Sequence, residues 1–191
     1  MHPIYHTKAV ILRSVPVGEA NKRYWLFTED LGLVVANAQG VRKSNSKLKG
    51  QLVDYSFIEV DLVKGRDIWR ITSATNYYNP FLMLPFDPLA RSYIRALTTV
   101  ERFLGREGEM HKELFGHIEE CSRCFNYKFD SQIFDTLVIW RVLAHLGYIS
   151  IPDDNKELFL SPLNKTFSLL DITTTKKMIK DVNEAISHTH L

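Results

Sequence analysis

Residues 22–38, KRYWLFTEDLGLVVANA, decide how this chain folds. Two runs rich in aromatic and β-branched side chains, Lys22–Thr28 and Leu33–Ala38, flank the turn-like EDLG of Glu29–Gly32. That pattern predicts a β-hairpin. Upstream, KAVILRSV (Lys8–Val15) predicts another strand, joined to the hairpin through a turn at VGEAN. Downstream, VDYSFIEVDLV (Val53–Val63) alternates, but its apolar side switches faces partway along. Such a switch predicts a bulge or a strand that changes sheets. KGRD (Lys64–Asp67) then turns the chain into Ile68–Tyr77. Five strands in under 80 residues predict a barrel of the oligonucleotide-binding (OB) type.

The pattern changes at Asn79-Pro80. NPFLMLPFDP holds three prolines and predicts a linker over 79–88. Beyond it the apolar period is helical. Leu89, Tyr93, Ala96, Leu97, Val100, Phe103 and Leu104 mark one face, with Gly105 as the stop. Leu114, Phe115, Ile118, Cys121 and Phe125 mark a second helix over Glu109–Tyr127. A third, Ile133–Leu146, is apolar nearly all round and belongs at the centre of the helical part. Leu158–Leu160 and Thr166–Leu170 are expected as short extended pieces, and a last helix starts near Thr173. The expected fold is multidomain α+β: an N-terminal five-stranded OB barrel over residues 1–79, then an all-α domain over 80–191.

Composition narrows the function. Of 191 residues, 45% are hydrophobic and 24% charged, enough for a real core without disulfide or metal staples. No secretory h-region or membrane-length apolar run is present, so a cytoplasmic protein is expected. The net charge of +2 is uneven: residues 1–80 hold 11 Lys and Arg against 7 Asp and Glu, and the rest hold 13 against 15. The asymmetry suggests a polyanion-binding half. Nucleotide-binding, zinc-protease and hydrolase motifs are absent, and no enzyme activity or cofactor is expected. Cys121 and Cys124, with His117 one turn upstream, resemble half a zinc site; two thiols on a helix is the favoured reading.

The strongest functional signal is GVRKSNSKLKG, residues 40–50, where Arg42, Lys43, Lys47 and Lys49 lie between glycines with no acid among them. Inter-strand loops of OB barrels grip single strands, and cations there neutralise phosphates. Lys22 and Arg23 sit beside Tyr24 and Trp25, with Arg23 and Trp25 on one strand face, as base stacking next to a phosphate requires. For both aromatics a core role is the commoner alternative. Arg141, mid-helix among Trp140, Val142 and Leu143, needs a partner if buried: an internal carboxylate or a snorkelling side chain is the favoured reading, and an anchor for a carboxylate arriving from another protein is the functional one.

These residues resemble the RecO family of bacterial recombination mediators. The resemblance rests on Leu12-Arg13, Gly18-Glu19, Leu26-Phe27-Thr28, Gly32, Gly40-Val41-Arg42-Lys43 and Ser46-Lys47. VIWRVLAHLGY (Val138–Tyr148) adds Arg141, Leu143, Leu146, Gly147 and Tyr148. Val138-Ile139 replace the family's Phe-Glu, and DDNKELFL stands where many members carry zinc-binding cysteines. The resemblance implies a non-enzymatic protein of DNA repair and recombination, without a zinc module. It would bind single- and double-stranded DNA, anneal complementary strands and, with RecR, help RecA replace the single-stranded-DNA-binding protein (SSB). Arg13, Lys22, Arg23, Arg42, Lys43, Lys47 and Lys49 are the expected phosphate contacts, with Trp25 a stacking candidate. Arg141 is the expected contact for the acidic tail of SSB. An RNA-binding OB protein, a protein-interaction adaptor and a metal enzyme around Cys121 and Cys124 are the rivals.

Overall fold

The computed structural model describes residues 3–83, 87–104, 109–124 and 127–188. Gly105, Phe125 and the middle of the 79–88 linker, all singled out above, lie outside the described residues. Two compact units emerge, Met1–Met83 with Gly105–Phe115, and Leu84–Leu104 with Gly116–Leu191.

In the first unit, strands β1 (Ile4–Val17), β2 (Asn21–Thr28), β3 (Gly32–Ala38), β4 (Phe57–Lys64) and β5 (Trp69–Tyr78) close into a barrel of order β1-β2-β3-β5-β4. All pairings are antiparallel except β3 with β5. This is the expected OB barrel. β1 pairs with both β2 and β4, and its register with β2 shifts between Ile11 and Arg13. The irregularity lets one strand serve both sides of the barrel. Alternation fills the interior: Tyr24 and Leu26 from β2, Val34, Ala36 and Ala38 from β3, and Ile58, Val60 and Leu62 from β4. Small alanines opposite large side chains fit the narrow lumen.

The expected start of β4 at Val53 is corrected to Phe57. Val53–Ser56 is a turn, closed by Ser56 N donating to Val53 O at 3.2 Å, and Tyr55 has φ 67°. A left-handed residue ends the alternation there. The anticipated irregularity falls further on, as shifts in the β4–β5 register at Phe57/Ile58 and Asp61/Leu62.

Outside the lumen, Phe27 and Phe57 pack edge-on against Phe115, with centroids 5.5 and 6.1 Å away. Lys112 Nζ pairs with Asp30 at 2.8 Å. Gly32, at φ +66°, is obligatory here: a Cβ would lie 1.9 Å from the Glu109 carbonyl oxygen.

The remaining elements are helices α1 (Pro80–Met83), α2 (Pro88–Phe103), α3 (Lys112–Arg123), α4 (Ser131–His145), α5 (Lys156–Leu160), α6 (Leu163–Leu169) and α7 (Ile172–His188). In the second unit α4 lies between α2 and α7, and Phe134, Leu137, Val138, Trp140, Val142 and Leu143 are fully buried, as its all-round apolar pattern predicts. Asp87 and Asp130 cap α2 and α4 by accepting from Leu89 N and from Gln132 N and Ile133 N. Leu158–Leu160 and Thr166–Leu170, expected as extended, are mostly helical, in α5 and α6. Both helices are shorter than two full turns of clear periodicity, and their stabilising contact comes from a distant residue, Arg141.

Candidate nucleic-acid interface

The connection from β3 to β4 carries the basic cluster. It is a chain of tight turns, with Lys43 N donating to Gly40 O, Ser46 N to Lys43 O and Lys49 N to Ser46 O at 3.1–3.3 Å. Val41 and Leu52 anchor it in the barrel core at both ends. Between these anchors Arg42, Lys43, Lys47 and Lys49 are exposed. Arg42 is oriented by two contacts to the β1–β2 turn: its N donates to Ala20 O and its Nη1 to Gly18 O, both at 2.9 Å.

The expected phosphate contacts divide between two surfaces of the barrel. At its mouth, Lys22, Arg42 and Lys49 line a cavity of about 570 Å³ together with Tyr24, Leu52 and Asp54. Lys22 Nζ also donates to Ser14 Oγ at 3.1 Å. On the outer wall, pairing sets Arg13 opposite Trp25 and Arg23 opposite Asn37. The Arg13 guanidinium lies 3.4 Å from the Trp25 ring centroid, and Arg23 Nε donates to Asn37 Oδ1 at 3.2 Å. One face of the Trp25 ring is therefore covered by a cation. Lys43 and Lys47 project from the turns between.

Of the two aromatics weighed as core residues, Tyr24 is core, 1% exposed, while Trp25 is half-buried on the wall. Burial, then the Asp54 charge, pushes the Tyr24 phenol up to about 12, so it stays a neutral hydroxyl. Asp54 was not among the expected residues. Its signal was an acid at the start of a run whose apolar face then switches, but only the folded turn brings it to the cavity.

Arg141 lies in the helical unit with its side chain 3% exposed. Its Nε and Nη2 donate to Leu158 O at 3.1 and 2.5 Å, and Nη2 also to Ser161 O at 2.7 Å and Thr166 Oγ1 at 2.6 Å. Glu120 Oε2 stands 3.9 Å from Nη1. The guanidinium thus satisfies carbonyls at the end of α5. A carboxylate arriving from outside would have to displace these groups. Close by, Cys121 and Cys124 are buried and unbridged. Burial pushes the Cys121 thiol well up and that of Cys124 up to about 12, which suppresses thiolate chemistry. No cluster of three or more His, Cys, Asp or Glu suited to a metal is found among the described residues. No helix among them is long and apolar enough to cross a membrane.

Residues 1–78 match the family described as Recombination protein O N terminal. Three proteins named DNA repair protein RecO, from three strains of Dehalococcoides mccartyi, are 43%, 40% and 43% identical over 70 residues. That stretch is 37% of this chain and 28% of each relative's length. The matched residues are those of the closed barrel, its basic turns and its cationic wall, and through this N-terminal domain, residues 1–78, the chain is similar to the RecO family.

Proposed function

We propose that this chain is a non-enzymatic, cytoplasmic DNA-binding mediator of recombination in DNA repair. It binds single- and double-stranded DNA through the barrel and anneals complementary strands. With RecR it assists RecA onto strands coated by SSB. In this reading residues 1–79 are the DNA-binding domain and 80–191 supply partner contacts; Arg141, expected to meet the SSB tail, is instead held by Leu158, Ser161 and Thr166, so the tail contact is assigned to the helical unit without it. The reading draws on the relatives' name, DNA repair protein RecO, and on the chemistry of the barrel.

The observation that carries it is the convergence of Lys22, Arg42 and Lys49 on one cavity, beside exposed Lys43 and Lys47, with no carboxylate ion-paired to the 40–50 turns among the described residues. Exposed cations with no ion-paired carboxylate, held on turns anchored by Val41 and Leu52, are suited to a polyphosphate, whose condensed counterions they release. The test is fluorescence anisotropy with a labelled single strand of ~30 nucleotides at several salt concentrations, a length that spans more than one OB site. Binding that weakens log-linearly with salt is expected. No binding at low salt would overturn the reading.

A further inference from the structure

The cavity at the barrel mouth contains a group that phosphate binding leaves unused. Asp54 Oδ1 is buried with no hydrogen-bond partner. A buried carboxylate oxygen without a donor is costly and rare, and calls for an explanation. The backbone holds Asp54 at this place. Its carbonyl accepts from Asn79 Nδ2 at 3.3 Å, Tyr55 N donates to Ile11 O at 2.8 Å, and Ser56 N closes the turn onto Val53 O. The next residue, Tyr55, is the one non-glycine with positive φ among the described residues. Strain at such a turn persists only where the surroundings enforce it, and it gathers at binding sites.

The walls suit a flat heterocycle. Tyr24, Val41 and Leu52 give apolar surface, Arg42 and Lys49 give charge at the rim, and about 570 Å³ is ample for one base. What enters must bring N–H donors. Carboxylate χ2 is soft, so Oδ1 turns toward the cavity when a donor arrives. Among the bases, guanine alone presents two adjacent N–H donors, N1–H and N2–H, on its Watson–Crick edge, the edge that single-strand readers use. Thymine presents one N–H between two carbonyl oxygens, which a carboxylate repels. Adenine and cytosine each set one amino group beside an acceptor nitrogen.

We propose that this cavity receives the guanine base of a bound strand, with Asp54 accepting from N1–H and N2–H while Arg42 and Lys49 hold the adjoining phosphate. The proposal rests on the nucleic-acid reading and deepens it by naming the base.

The experiment compares labelled thymidine 30-mers with and without spaced guanines, by anisotropy, on wild type and on Asp54→Asn. In wild type the guanine strand should bind at least ~5-fold tighter, the lower end for a bidentate base contact. Inosine, which lacks the N2 amine, should fall between the two. Asp54→Asn should bring the ratio below ~2-fold while thymidine binding persists. The inosine series needs no variant, so it stands even where Asp54→Asn misfolds. Equal wild-type affinity for both strands would overturn the proposal and leave Asp54 to a water molecule. Free dGMP binding as tightly as the guanine strand would overturn the strand as its source. Failure of both strands to bind at low salt would instead overturn the nucleic-acid reading itself.

Discussion

The basic turns of the barrel and five cations of the helical unit treat positive charge in opposite ways. On the helical side Arg95, Arg123, Lys165 and Lys180 each meet a carboxylate, and Arg141 is buried against carbonyls with Glu120 nearby. On the barrel, Lys43, Lys47 and Lys49 stand in solvent with no carboxylate paired to them among the described residues. The same residue types thus serve two ends. Where a cation is surrounded by its own chain's acceptors, it holds the fold. Where it is held out on short, anchored turns, its neutralisation is left to a partner.

The sharpest way to break this contrast is at Arg141. Arg141→Ala should destabilise the helical unit by about 2–4 kcal/mol, because it strands the acceptors Leu158 O, Ser161 O and Thr166 Oγ1. Urea unfolding followed by circular dichroism reads this. A loss within about 0.5 kcal/mol, with partner binding abolished, would make Arg141 a surface anchor instead.

Next comes the barrel's open charge. Replacing Arg42, Lys43, Lys47 and Lys49 with Ala should weaken single-strand binding on the order of a hundredfold at moderate salt. The slope of log affinity against log salt should drop by roughly 3, at ~0.7 per phosphate contact. Unchanged affinity and slope would remove the turns from the interface.

Trp25→Ala should cost about 2 kcal/mol of strand affinity, the worth of one stacked base, while leaving the salt slope intact. A changed slope would mean that the ring matters only by positioning Arg13, which lies 3.4 Å from its centroid.

The smallest effect concerns protons. Burial, then the charges of Arg141 and His145, holds the His117 imidazole well below its ordinary value of 6.5. Below that value the unfolded chain binds a proton that the folded chain refuses. Stability therefore falls as pH drops from about 6.5 toward the depressed value, by up to about 1.4 kcal/mol per pH unit. Thermal melts between pH 7.5 and 5 should show the decline, and His117→Met should flatten it.

The barrel was legible in the sequence because each of its strands announces itself locally. Val34, Ala36 and Ala38 alternate with outward neighbours on β3, and Gly32 and Gly40 sit at positive φ at the strand ends. α4 was legible for the complementary reason: its apolar residues surround it, so only a central place in a helical unit buries them. α5 and α6 were not, since what holds them is Arg141, 17 to 25 residues upstream, and no local pattern contains that bond. The start of β4 was missed because Tyr55, a residue favoured in strands, is bent into a left-handed turn.

By itself, then, the amino-acid sequence determined the order of the five strands and of the longer helices α2, α3, α4 and α7, the surplus of positive charge before residue 80 and the cluster at Arg42–Lys49. These depend on side-chain periodicity and composition, which act over a few residues at a time. The tertiary structure alone decided that Lys22, Arg42 and Lys49 share a cavity with Asp54, while Arg13 and Trp25 lie on the outer wall. It alone decided that Arg141 serves the interior. Those outcomes follow from strand register and barrel closure, in which a single residue of slip exchanges the inner and outer faces.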